Sequence, residues 1–379
     1  MATLWNIRNQ ELIEPRALSA ALAAAMLTLA SCSGGGASGS MVTPKPTPVP
    51  TASPTIQIMG EARIMSATTL VALLNPVSQV SAVYSYGDQG QRIDYQQGTD
   101  WIVSGNSIAR TAGSRIPNFA NYTYTKTNGD KFDFAGDPRN PPLTIGYNIY
   151  VDYSSTAPDL TVKATPLAKR NGTVLCAGDS IAHGAHTVAS YYHNSDWQGW
   201  CGMLRKNLQG QASVVNASIP GSVLQSFSSN IDSWLASDPD TIILAFGMND
   251  HVNGAAYLPT FTQHLNTVLD RLGAENVQVV LVGFFQQNER WNMEDPSQTI
   301  AYNNAIRTAA QVRGLPFVDP YAAFGKAVAG SEQFYHLTAD FMHHPNIYGQ
   351  RIYYSLIIPY FLDRDMPSSA VPDYVLGNW

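Results

Sequence analysis

Charge is scarce in this chain. Asp, Glu, Lys and Arg make up 13% of its 379 residues, and the net charge of −6 is spread without runs of one sign. A nucleic-acid partner would call for a basic face, so that class is excluded. Cysteine is scarcer still, at three residues, Cys32, Cys176 and Cys201. A zinc site needs three or four ligands in suitable geometry, and no Cys or acidic cluster completes one around His183, His186 and His251. No metal and no organic cofactor are therefore expected. The serine of "LCAGDSIAHGAH", residues 175–186, also lacks a GxSxG frame. Apolar residues, in contrast, reach 45%, enough for a globular body. At 379 residues the chain is too long for one ordinary core and suits a leader plus two domains.

The leader occupies residues 1–31. "RALSAALAAAMLTLASC" places an apolar run after Arg16, too short for a permanent membrane span but of the length of a secretory signal. Its last four residues, Leu29-Ala30-Ser31-Cys32, resemble the lipobox of bacterial lipoproteins. That resemblance implies export, lipidation of Cys32, and attachment to a bacterial membrane, the outer membrane or cell surface in a diderm host. An ordinary signal peptide with an incidental cysteine is the alternative. Residues 32–54 are rich in Gly, Ser and Pro and read as a flexible tether. Cys176 and Cys201 both lie in apolar contexts, where a buried free thiol is expected at each, although export would permit a disulfide.

Residues 55–165 carry short runs of Thr, Tyr, Val and Ile broken by Gly, Asn, Asp and Pro, such as "SAVYSYG" and "LTIGYNIYVDYSS". "KTNGDK" contains an Asn-Gly hairpin signal. Outside 65–75 no helical period persists beyond two turns. This pattern predicts an antiparallel β-sandwich or jelly-roll-like module, which either binds carbohydrate and shapes a cleft or serves as a structural neighbour.

From 171 to 365 the rhythm changes. "TVLCAGD", "ASVVNAS", "DTIILAFG", "VQVVLVGFF" and "LPFVDP" are apolar runs, and helical patterns separate them at 257–274, 297–313 and 346–361. Apolar strands alternating with helices predict a parallel sheet of about five strands in a three-layer α/β/α domain, with residues 366–379 as a tail. Functional groups in such sheets collect beyond the carboxyl ends of the strands. The first strand delivers Gly178-Asp179-Ser180, the second "NASIPGS" with Gly221, the third Gly247-Met248-Asn249-Asp250. "TADFMHHPNIYG" precedes the last helix.

These four blocks, in this order, resemble the SGNH/GDSL hydrolase family over residues 172–362. The resemblance implies a flavodoxin-like hydrolase domain and esterase chemistry. Ser180 would be the nucleophile. The backbone N–H groups of Ser180 and Gly221 and the Asn249 amide would form the oxyanion hole. A histidine oriented by Asp340 would be the base. Asp179 and Asp250 are expected to organise their loops.

The histidine block departs from the family's Asp-x-x-His form. That spacing from Asp340 selects His343, whereas the following Pro-Asn and Gly349 select His344. His344 is favoured because Pro345 suits the first helical turn and would hold its neighbour at the helix start, leaving His343 as the alternative base. Tyr191, Tyr192, Trp197, Phe284, Phe285 and Trp291 are candidate sugar-stacking faces, some of them core. The expected activity is a carboxylic ester hydrolase, first of all a carbohydrate acetylesterase acting on an acetylated glycan. A lipase or thioesterase for longer chains and a non-enzymatic carbohydrate-binding protein are the rivals.

Overall fold

The architecture follows from where apolar residues alternate and where they run unbroken. It is described from a computed structural model for residues 56–123, 127–129, 131–132, 142–156, 161–162, 164–329, 334–362 and 366–367. The leader, Cys32 and the tether lie outside these residues, as does most of the C-terminal tail. The described residues all fall in one compact unit that begins at Ala52.

The N-terminal module is built of β1 (Ile56–Arg63), β2 (Val71–Ala72), β3 (Val77–Tyr86), β4 (Arg92–Asp94), β5 (Trp101–Ser104), β6 (Ser107–Arg110), β7 (Thr127–Asn128), β8 (Lys131–Phe132) and β9 (Ile149–Ser155). They pair as antiparallel sheets of order β1-β9-β3-β4 and β2-β6-β5, with β7–β8 as a separate hairpin. The expected Asn-Gly turn is this hairpin, and Gly129 takes the left-handed conformation there. Alternation sorts β3 and β9 into two faces. Val83, Val151 and Tyr153 join Leu73, Trp101 and Ile108 in the module's own core. Tyr84, Tyr86 and Tyr150 face the other way, into the main core of the chain.

Two local expectations fail in this module. Residues 65–75 hold a turn and the short strand β2, not a helix, because Val71 and Ala72 pair with β6 and leave Leu70 and Leu74 exposed. One helix was not anticipated, α1 (Pro142–Tyr147), which is too short to carry a period.

The second half alternates strictly. After the short strand β10 (Thr161–Val162) come β11 (Thr173–Gly178), α2 (Ser180–His183), α3 (Val188–His193), α4 (Trp200–Asn207), β12 (Ser213–Asn216), α5 (Leu224–Ser229), α6 (Ile231–Leu235) and β13 (Thr241–Ala245). They are followed by α7 (Met248–His251), α8 (Leu258–Ala274), β14 (Gln278–Val282), α9 (Pro296–Arg313), β15 (Phe317–Val318), α10 (Pro320–Ala329) and α11 (Ile347–Ile357). The five strands β11 to β15 form a fully parallel sheet in the order β12-β11-β13-β14-β15. Helix α11 contacts both α4 and α10, and α8 contacts both α5 and α9, which gives two groups of helices. These two groups are the outer layers of the expected three-layer domain, and burial on both faces explains the unbroken apolar strands. Because β11 has β12 on one side and β13 on the other, the strand order reverses there. In sheets of this kind ligands bind at that point, beyond the carboxyl ends of the strands, here β11 and β13.

Cys176 and Cys201 do not remain free thiols. They form a disulfide that ties β11 to α4, with 6.3 Å between the Cα atoms. The apolar context of each cysteine was read correctly. What the sequence could not reveal is that α4 returns across β11 and brings the two together.

Candidate active site

Ser180 opens α2 one residue after β11, and only glycine fits at the last position of that strand. A Cβ on Gly178 would lie 2.5 Å from the Ala245 carbonyl and 2.6 Å from Ala182. Asp179 caps α2 by accepting the Ile181 N–H at 2.9 Å, and Ser180 is 5% exposed. Gly221 is left-handed, at φ 79°, and a Cβ placed there would meet nothing within 4 Å, so its backbone is approachable from that side. Asn249, half-buried in α7 beyond β13, donates its amide to the Ser222 carbonyl at 2.9 Å. An amide nitrogen carries two protons, so one still points elsewhere. Asp250 accepts the Leu224 N–H at 3.1 and 3.2 Å, and Ser222 donates to the Gly178 carbonyl at 3.1 Å. The three loops are thereby tied into one edge. Asp179 and Asp250 act as the loop organisers expected. Burial pushes their carboxyls up, to about 7 for Asp179 and about 6 for Asp250.

The histidine block is a closed loop. Ala339 N–H bonds to the His344 carbonyl at 2.8 Å and Asn346 N–H to the Leu337 carbonyl at 3.0 Å, on either side of a Thr338–Pro345 bridge. Inside it, Asp340 Oδ1 accepts the backbone N–H groups of Met342, His343 and His344 at 2.8, 3.0 and 3.1 Å. Its other oxygen, Oδ2, meets His344 Nδ1 at 2.6 Å. His343 Nδ1 stands farther from that oxygen, at 3.7 Å, and its ring lies parallel to Trp291 with 4.4 Å between centroids. The extra residue between Asp and His is absorbed at Phe341, which adopts a left-handed φ of 62°.

The reason given for His344 needs correction. Pro345 is not in the first turn of α11. Asn346 is its N-cap, accepting the Gly349 N–H at 3.0 Å, so Pro345 lies one residue outside the helix. His344 is fixed by the loop closure and by Asp340, not by the helix start. Helix α11 contributes through Gln350, which donates to the Ile181 carbonyl and accepts from Trp200 N–H, both at 3.1 Å. This braces the histidine loop against the first turn after Ser180.

His186, six residues beyond Ser180, completes the junction. Its ring lies 3.9 Å from that of His344, and its Nδ1 is 3.4 Å from Asp340 Oδ2. His186 also adopts a left-handed φ of 64°, a conformation that costs a non-glycine residue energy and concentrates at functional sites. Sequence reasoning noticed this histidine but gave it no role. Its pairing with an acid 154 positions away has no local signal.

Burial holds His344 down to about 4, with His186 adding to the effect, so its imidazole is neutral near neutral pH. Burial works against the Asp340 carboxylate. The neighbouring His344 and His343 and the hydrogen bonds from His186 and His344 outweigh it and keep the group well below the usual range. His186, Asp340 and His344 also offer three ligand atoms within 4.8 Å of one another, a grouping the sequence did not reveal. The acid that completes it is Asp340. Both of its oxygens already accept hydrogen bonds, so a cation would have to displace the His344 proton. His251 is engaged elsewhere, at 3.0 Å from Glu294 and against the Met248 carbonyl. Of the candidate stacking aromatics, Phe284, Phe285 and Trp291 are buried, while Tyr191 is exposed and Tyr192 and Trp197 are half-buried.

Residues 176–352 match the model of the GDSL-like lipase/acylhydrolase family. No curated protein sequence matches the chain. Among solved structures, similarity extends to a GDSL-like lipase-type protein from Parabacteroides merdae, at 17% identity and a TM-score of 0.44, covering 52% of this chain and 99% of that one. A catalytic mutant of an acetylxylan esterase from Geobacillus stearothermophilus is 19% identical with a TM-score of 0.43, covering 53% and 96%. An α/β hydrolase from the metagenome of Lake Arreo, Spain, is 18% identical with a TM-score of 0.43, covering 50% and 94%. Residues 176–352, just under half of the chain, are a GDSL-like lipase/acylhydrolase domain.

Proposed function

We propose that the protein is a serine esterase that works through an acyl-serine intermediate. The observation that carries this is the 2.6 Å contact from His344 Nδ1 to Asp340 Oδ2, in a loop that meets the Ser180 loop through His186. With Nδ1 occupied, His344 has Nε2 left as the base. Ser180 Oγ attacks the ester carbonyl as its proton passes to His344 Nε2. The negative charge that forms on the carbonyl oxygen is received by the N–H groups of Ser180 and Gly221 and by the Asn249 amide. Collapse breaks the ester bond, and the alcohol leaves with the proton from His344. Water, deprotonated by the same nitrogen, then attacks the acyl-serine and releases the carboxylic acid and free Ser180.

The preferred substrate is an O-acetyl group on a glycan. Tyr191, Tyr192 and Trp197, which follow the Ser180 loop in the sequence, are accessible enough to stack on sugar rings. The module carries a cavity of about 660 Å³ lined by Tyr86, Tyr95, Tyr147, Ile93 and Pro117, a mainly apolar lining whose aromatic rings suit stacking on sugar faces. Export and lipid attachment at Cys32 belong to the same proposal. The Cys176–Cys201 disulfide supports an oxidising compartment. The test is a panel of acyl esters of increasing chain length with acetylated glycans alongside. Activity highest on acetyl esters and releasing acetate from an acetylated glycan is expected. A maximum at long acyl chains would replace this substrate class with lipids or thioesters.

A further inference from the structure

His344 is one link in a continuous chain of rings. Trp291 contacts His343 at 4.4 Å, His343 contacts His344 at 4.0 Å, and His344 contacts His186 at 3.9 Å. All three imidazoles lie within 3.7 Å of one oxygen, Asp340 Oδ2, at 2.6, 3.4 and 3.7 Å for His344, His186 and His343. The far end of the chain is held by the N-terminal module. Strand β8 pairs with the loop after β14: Phe132 N–H bonds to the Arg290 carbonyl at 2.8 Å, and Asn292 N–H bonds to the Phe132 carbonyl at 2.9 Å. The Phe132 side chain forms a small buried core with Trp291 and Met342, the latter a residue of the histidine loop. A second contact comes from Phe119 and Tyr122, whose rings pack edge-on against Phe341 at 5.2 Å each.

Residues 341, 342 and 343 are the three between Asp340 and His344. Each is thus gripped from outside the loop, two of them directly by the module. A spacing with one extra residue would leave the base loosely placed unless something took up the slack, and here the module does.

We infer that the N-terminal module is a positioning element for the base. Through Phe132 and Trp291 it seats His343 against His344, and His186 closes the other contact. His186, His343 and Trp291 are positioning residues on this account. They touch no reacting atom but fix the ring plane and keep water from the imidazole. The inference rests on His344 being the base.

The experiment compares Trp291→Ala, Trp291→Phe and Phe132→Ala with His344→Ala in the full chain, using kcat, KM and the pH profile of kcat/KM on an acetyl ester. Misplacement of a reacting group by about 1 Å can cost on the order of a hundredfold. Trp291→Ala is expected to lower kcat ten- to a hundredfold with KM nearly unchanged. As water reaches the imidazole, the acid limb of the profile should move toward higher pH. Trp291→Phe, which keeps a flat ring, should recover most of kcat, and Phe132→Ala should shift the profile in the same direction as Trp291→Ala. A Trp291→Ala enzyme with wild-type kcat and an unmoved acid limb would overturn the inference. So would a loss confined to KM, or a Trp291→Phe enzyme no better than the alanine variant. If His344→Ala itself retains activity, the assignment of the base has failed. If that variant is inactive while Trp291→Ala is unimpaired, only the role of the module has failed.

Discussion

Burial sets the chemistry of the individual groups. His344 is neutral down to about 4 because its ring is enclosed, and a neutral imidazole is the form that the proposed mechanism requires to take a proton from Ser180. The sign follows: protonation below that value removes the base, and nothing is gained by raising the pH above it. The acid limb of kcat/KM is therefore expected near pH 4 to 5, well below the ordinary histidine range. A pH profile with its limb at about 6.5 would mean that the base is more hydrated than the structure has it. Asp179 and Asp250, pushed up to about 7 and about 6, act in another way. The native state holds protons there that the unfolded chain releases at ordinary carboxylate values. Their contribution to stability is present below about pH 4 and is lost as pH rises toward 7. Ser180, Gly221 and Asn249 were readable as sequence blocks because each follows its own strand. His186 was not, since its partner Asp340 is joined to it only by folding.

Elements were legible where pattern is long, and obscure where a contact decides. The parallel strands and the helices at 258–274 and 296–313 follow from sustained apolar periods. The start of α11 was misplaced because Pro345 at a first turn is a local preference. The side chain of Asn346, bonded to Gly349 N–H and to the His336 carbonyl at 2.9 Å, overrides it. The disulfide was missed for a related reason, being a contact between two elements that no spacing encodes. It closes a loop across a separation of 25 residues, worth about 3 kcal/mol in the chain-entropy account. Replacing both Cys176 and Cys201 by Ala should lower Tm by roughly 5–10 °C. Calorimetry on oxidised, reduced and substituted protein checks this, and equal Tm values would show that the bridge adds no stability.

At the scale of the whole molecule, the module and the hydrolase domain were legible as separate patterns, but their joint was not. Tyr84, Tyr86 and Tyr150 read as one face of β-strands, yet they enter the core shared with α11. The proposed export adds a tether and an anchor ahead of this body. Among the described residues no helix is long and apolar enough to cross a membrane, and the proposed attachment is through Cys32. In a bacterial host, Cys32→Ser is expected to move the protein from the membrane fraction to the soluble exported fraction and abolish globomycin-sensitive processing. Retention of that variant in the membrane fraction would exclude the lipid anchor.

The central claim is that Ser180 is the nucleophile and His344 its base. It is tested most directly by the rate at which a fluorophosphonate probe labels the protein, with the labelled residue mapped by peptide mass. The wild type is predicted to carry the label on Ser180 and Ser180→Ala to carry none. His344→Ala should slow labelling by several orders of magnitude, because base and nucleophile act as one unit. His343→Ala should slow it about tenfold, through loss of position alone. Label on a different serine, or a His343→Ala variant that is inert while His344→Ala reacts, would contradict the account.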